Sequence, residues 1–168
     1  MSFVFTPDEI FALAEQIEEN GALFYRKAAQ SSACADSREL LTRLAEMEDN
    51  HGSLFSSLRK ALPDKDREPA IFDPEGEAAL YLKSLADSRV FTQPDGNPLA
   101  EDANTCSPDA LGRILKFAVE REKDSIVFYL GMKELVGTEK AKCDIEGIIR
   151  EEMQHIRLLN TQLAQIIK

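Results

Sequence analysis

Glu48-Asp49-Asn50-His51 and Glu152-Met153-Gln154-His155 hold the only two histidines in the 168-residue chain, each three places after a glutamate. On a helix, positions i and i+3 share a face, so each segment presents a carboxylate and an imidazole to one point. The two segments lie 104 residues apart, and two further pairs keep that interval: Glu18 with Glu122, and Tyr25 with Tyr129. Within each half the lone glutamate precedes the motif glutamate by 30 residues (48 − 18 and 152 − 122). A helical hairpin turns that interval into two carboxylates at one level.

Sliding residues 1–64 onto 105–168 without a gap gives eight identities. Beyond the six residues already named with their tyrosines, they include Ile10/Ile114, Ala14/Ala118, Phe24/Phe128 and Leu54/Leu158. Ordinary composition would give roughly four by chance, so the residue types that coincide carry the argument.

The flanking sequence is helical. Thr6-Pro7-Asp8-Glu9 combines a capping threonine, proline at the first helical position and glutamate three places on. Ile10, Leu13, Ala14, Ile17, Gly21, Phe24, Tyr25 and Ala28 continue at helical spacing. The expected helices cover about 7–31, 37–61, 108–136 and 139–167, with Asp36 and Thr138 opening the second and fourth and Pro63 stopping the second. Residues 63–106 hold five of the seven prolines. That length exceeds what a hairpin needs and suits a crossover, with a short helix starting at Asp73-Pro74-Glu75. The expected architecture is a single all-α domain, 1–168: an antiparallel four-helix bundle with a long crossover between helices 2 and 3.

Ile10, Ala14 and Glu18 lie at successive i+4 steps, as do Ile114, Ala118 and Glu122, so both glutamates continue an apolar stripe pointing inward. A buried, ionised, unpaired carboxylate is costly. Four inward carboxylates are offset by two divalent cations, with neutral imidazoles completing the set. The candidate metal ligands are therefore Glu18, Glu48, His51, Glu122, Glu152 and His155. Tyr25 lies seven residues, about 10 Å, beyond Glu18. It is placed to hydrogen-bond a ligand carboxylate on a facing antiparallel helix, and Tyr129 does the same from the other half. Gly21 and Ser125, at matching positions, leave room beside the glutamates. Glu15, Glu19, Glu46, Glu120 and Glu151 read as solvated faces.

The net charge of −10 disfavours nucleic acid and anionic membrane as partners. No apolar stretch approaches a membrane span, and the start Met1-Ser2-Phe3-Val4-Phe5 has no basic n-region, so the expected location is cytoplasmic. Cys34, Cys106 and Cys143 form no C-x-x-C, which excludes a zinc ribbon or a rubredoxin-like iron centre. Free thiols serving as packed small residues are expected. The base-rate assembly is a homodimer.

The run Glu18-Glu19-Asn20-Gly21-Ala22-Leu23-Phe24-Tyr25, with Glu48-x-x-His51 and their second-half counterparts, resembles the rubrerythrin branch of the ferritin-like superfamily. Tyr81 to Phe91 in the crossover is similar to rubrerythrin-like proteins as well. The resemblance covers essentially the whole chain and implies a ferritin-like fold and a non-haem di-iron site. In such sites the glutamates of the Glu-x-x-His motifs bridge the metals, here Glu48 and Glu152, with Glu18 and Glu122 terminal. It implies an oxidoreductase that reduces H2O2 or O2, with iron-binding or ferroxidase buffering as the alternative. A third reading is a structural bundle with vestigial acids. The same oxygen and nitrogen ligands also accept manganese or zinc. Two departures stand out: no rubredoxin-type cysteines are present, so reductant comes from an external electron-donor protein, and Ser125 replaces the extra glutamate of rubrerythrins.

Overall fold

Four long helices form the described part of the protein: α1 (Pro7–Ser31), α2 (Ala35–Lys60), α3 (Pro108–Leu135) and α4 (Glu139–Ile166). The structure, a computed structural model, describes residues 6–32, 34–64 and 108–166. Among these residues there is no strand, and no helix is long and apolar enough to cross a membrane. The crossover beyond Asp64, with the short helix expected in it, lies outside the described residues.

Local chemistry explains where the helices begin. At α1, the Thr6 hydroxyl accepts from the Glu9 backbone N–H while the Glu9 carboxylate accepts from the Thr6 N–H, a reciprocal capping box. At α4, Thr138 Oγ1 accepts from the Ala141 N–H. The second helix departs from expectation. It starts at Ala35, with Cys34 at the cap making no side-chain cap bond, and Asp36 sits in the first turn. There its charge still meets the positive end of the helix dipole.

The short connections make α1 and α2 antiparallel, and likewise α3 and α4. Cross-pairings fix the rest: Tyr25 reaches Glu122 and Tyr129 reaches Glu18, so α1 and α3 also run in opposite directions. Ion pairs on the outside tie neighbouring helices, with Arg59 of α2 held by Asp8 and Glu15 of α1, and Lys133 of α3 by Glu146 of α4.

Apolar side chains separate into two clusters. One contains Ile10, Phe11, Ala14, Phe55, Phe128, Met132, Ile145 and Ile149; the other Phe24, Ala28, Leu41, Ala45, Ile114, Leu115, Ala118 and Leu159. The 104-residue shift exchanges the clusters: Ile10 maps onto Ile114, Phe128 onto Phe24, Ile145 onto Leu41 and Phe55 onto Leu159. On every helix the glutamates and histidines fall between the stretches that feed the two clusters. A buried polar layer therefore divides the core, with a dry, close-packed block on each side.

Two cysteines differ from expectation. Cys34 and Cys143 are exposed rather than packed, because both sit at the outer edge of a helix start. Cys106 lies outside the described residues.

Candidate metal centre

Each helix contributes from its middle, where neither end frays and both core blocks clamp the backbone. Glu18, Glu48, His51, Glu122, Glu152 and His155 are all 3 % exposed or less, so six ionisable side chains share one small space. Their ligand atoms form two overlapping sets: Glu18, Glu48, His51 and Glu152, and Glu48, Glu122, Glu152 and His155. Within each set the atoms lie within 4.8 Å of one another. Glu48 and Glu152 belong to both sets, while Glu18 and Glu122 belong to one each.

The individual contacts show where these atoms point. Nδ1 of His51 is 3.0 Å from Glu152 Oε1, 3.5 Å from Glu48 and 3.6 Å from Glu18. Nδ1 of His155 is 2.8 Å from Glu152 Oε2, 3.3 Å from Glu48 and 3.5 Å from Glu122. Yet both Nδ1 atoms, both oxygens of Glu152 and one oxygen of Glu48 lack a hydrogen bond of good geometry. Close, buried and unbonded lone pairs are costly unless something sits between them. Lone pairs converging on a shared point, not on each other, are what a cation requires, and nitrogen and carboxylate donors suit iron, manganese or zinc. The two imidazole rings lie nearly parallel, 5.5 Å apart between centroids.

The titration shifts follow from crowding acids and imidazoles into one buried space. Burial resists protonation of His155, but the carboxylates of Glu122, Glu152 and Glu48 outweigh it and raise the imidazole to about 12. His51 is raised in the same way by Glu152, Glu18 and Glu48. Burial pushes Glu18 well above the carboxylate range, reinforced by the neighbouring charges of Glu48 and Glu152. Glu122 follows, with Glu152 and Glu48 adding to burial. The shared glutamates go the other way. Burial would raise Glu48 and Glu152, but bonds from the surrounding groups, the two histidines among them, hold both below their ordinary value. The shared pair is thus pushed toward the carboxylate form and the unshared pair toward the acid form, as their different positions dictate.

Tyr25 Oη donates to Glu122 Oε1, and Tyr129 Oη donates to Glu18 Oε1. Both phenols are fully buried. Burial first, and then the charges of Glu122 and Glu48 for Tyr25 or of Glu18 and Glu152 for Tyr129, keep them protonated well above the ordinary tyrosine value. Each terminal glutamate is oriented by a tyrosine from the opposite half of the chain.

One participant escapes the sequence pattern. Glu151, expected on a solvated face, turns inward far enough for its Oε2 to lie 3.1 Å from His51 Nε2. Its side chain remains half exposed. Residue 151 maps onto Met47 in the first half (151 − 104), so the repeat that exposed the other ligands hides this one. Ser125, the small residue beside Glu122, spends its hydroxyl on the Arg121 carbonyl of its own helix.

No protein-family model and no curated protein matches the sequence. Among solved structures, one described as a ferritin-like diiron-carboxylate protein from Thermotoga maritima superposes with a TM-score of 0.71, covering 98% of each chain at 20% identity. The fold is ferritin-like. This ferritin-like bundle keeps its buried acids where four helices cross at mid-length, so the fold and the polar layer are one structural feature.

Proposed function

We propose that the protein is a rubrerythrin-like non-haem di-iron oxidoreductase that reduces H2O2 or O2 in the cytoplasm. The observation that supports it most is the overlap of two four-residue donor sets through Glu48 and Glu152. In this reading Glu18, Glu48, His51 and Glu152 would hold one ion and Glu48, Glu122, Glu152 and His155 the other, Glu48 and Glu152 being common to both sets. When bound there, iron would supply the electron pair needed to reduce the oxidant. Reducing H2O2 to two waters consumes two electrons and two protons.

The chain's own residues prepare that chemistry in three ways. Four carboxylates cancel the charge of two divalent ions, so binding leaves no net charge in the core. Tyr25 and Tyr129 stay protonated and hold the terminal carboxylates by single hydrogen bonds, leaving each carboxylate one oxygen to direct at an ion. The apolar blocks on both sides exclude bulk water, which strengthens every charge interaction between them. Electrons come from a separate donor protein, since the chain has no C-x-x-C motif.

Iron binding or ferroxidase buffering without further turnover is the second reading. It is favoured by Ser125, whose hydroxyl is committed to its own helix and offers no seventh ligand. Anaerobic loading with Fe(II), followed by stopped-flow mixing with H2O2 or with O2, separates the two. The oxidoreductase reading expects saturation at two ions per chain and faster oxidation of the bound iron by peroxide than of free Fe(II) by the same peroxide. Uptake well beyond two ions, or no acceleration, overturns it.

A further inference from the structure

Beside the polar layer, α1 and α2 leave a cavity of about 270 Å³ whose lining includes Glu15, Glu19, Glu48, Asp49, Gly52 and Ser53. At about 30 Å³ per water it has room for some nine molecules, enough for a cation with its hydration shell. Glu19, Asp49 and Ser53 are exposed and mark the mouth. Glu48 is buried and belongs to the lining, with its Oε1 on the far side, 3.3 Å from His155 Nδ1. The cavity therefore joins solvent to a residue shared by both donor sets.

Gly52 makes the opening. It sits directly over Glu18: a Cβ added there would meet Glu18 Cβ at 3.5 Å, an ordinary contact, whereas a longer side chain would fill the passage. The other half of the chain carries different residues at the equivalent positions. Shifted by 104, Glu15 becomes Val119, Glu19 becomes Lys123, Asp49 becomes Met153, Gly52 becomes Ile156 and Ser53 becomes Arg157. The six inner residues obey the repeat, Glu48 of the wall among them; the remaining lining residues break it, with acids replaced by apolar or cationic side chains and glycine by isoleucine.

We propose that this cavity is a transit site through which a hydrated divalent cation enters: Glu19 and Asp49 attract it, Gly52 lets it pass, and Glu48 receives it. The inference rests on the six inner residues being metal ligands. Existing contacts permit the route. Asp49 is paired with Arg26, Glu15 with Arg59 at 3.3 Å, and Glu19 accepts from the Gln16 amide at 3.3 Å. The Arg26–Asp49 pair is exposed, and such pairs are weak and salt-screened, so an arriving divalent ion displaces Arg26 from Asp49 readily. Acids lining a low-dielectric cleft raise the local cation concentration and the rate of entry.

The test is anaerobic stopped-flow binding of Co(II), followed by its visible absorption, on the full chain. Glu19→Gln combined with Asp49→Asn alters only exposed mouth residues. Its expected effect is a roughly tenfold slower association with a flatter ionic-strength dependence and unchanged stoichiometry. Gly52→Ile, which copies the second half's side chain into the throat, is expected to slow entry further, and Gly52→Ala to leave it nearly unchanged. If the mouth variant takes up two Co(II) per chain at the wild-type rate and salt dependence, the transit site is overturned while the metal reading stands. If the wild type binds no Co(II), the metal reading itself falls, and this proposal with it. Should Gly52→Ile not fold, the mouth variant alone decides.

Discussion

Nε2 of His51 lies 3.1 Å from Oε2 of Glu151, whereas Nε2 of its counterpart His155 is buried without a hydrogen-bond partner. The first imidazole therefore has a carboxylate behind it that holds Nδ1 toward the acids; the second relies on packing alone. Orienting partners of this kind fix the tautomer and raise the basicity of the ligand nitrogen. Glu151→Ala is expected to weaken binding of one of two ions by about 10–100-fold, leaving the other near its wild-type affinity. Competitive titration with a chromogenic chelator resolves the two steps. Equal weakening of both would show that Glu151 does not act through His51.

Shared and unshared glutamates are expected to behave differently. Glu18 belongs only to the set around His51, so Glu18→Gln leaves the set around His155 complete. Binding of one ion then weakens by at least about tenfold while the other persists. Glu48 serves both sets, and Glu48→Gln is expected to impair both ions. Metal content after dialysis against a graded chelator measures the difference, as one ion per chain against fewer.

Tyr25→Phe and Tyr129→Phe each remove only a hydroxyl from a fully buried ring, but each deprives a buried glutamate of its donor. Leaving such a group unsatisfied costs about 1–3 kcal/mol. Urea unfolding of the metal-free variants is expected to show that loss without a change in m value, since the surface exposed on unfolding is the same. A neutral result would mean that water or a shifted carboxylate replaces the phenol.

The pH dependence follows from the direction of each shift. His51 and His155 have raised folded pKa values, so their contribution is complete below an unfolded value of about 6.5. It is lost as pH rises, through about 12 for His155. Glu18 and Glu122 are also raised, and their contribution is complete below about 4.3 and lost as pH rises through their elevated values. Glu48 and Glu152 are depressed, so theirs is present above that same unfolded value and lost as pH falls through their lowered values. The metal-free site is thus most stabilising at about pH 4.3, and its contribution falls as pH rises, more steeply above about 6.5. Binding divalent ions is expected to release protons held by the raised imidazoles and the unshared carboxyls. Calorimetry in buffers of different ionisation enthalpy should count them at pH 7. The metal-induced rise in Tm should be larger at pH 8 than at pH 6.

Much of the site was legible because a helix repeats every 3.6 residues, and the duplication keeps its register without a gap. Glu18 could be placed on an inward stripe from Ile10 and Ala14, and Glu48 and His51 on one face from their own spacing; the copies in the second half checked the placement. Glu151 was not legible, because its role exists only across helices: it follows no stripe, its counterpart is Met47, and it reaches a histidine 100 residues away. The Gly52 opening was hidden for a related reason. A glycine in a helix reads as a mild propensity cost, and only the neighbouring α1 turns the missing side chain into a passage. The helix starts behaved unevenly as well. Thr6 and Thr138 cap as their side chains dictate, while Asp36 lost the cap position because the turn from α1 delivers the chain into helix at Ala35.

By itself, then, the sequence determined the helices, their inward faces and the six buried acids and imidazoles, since each depends on periodicity and residue chemistry within a single helix. Which carboxylates are shared, which tyrosine serves which glutamate, and on which side the layer opens were decided only by tertiary structure. Those relations are distances between side chains on different helices, and no spacing along one helix contains them.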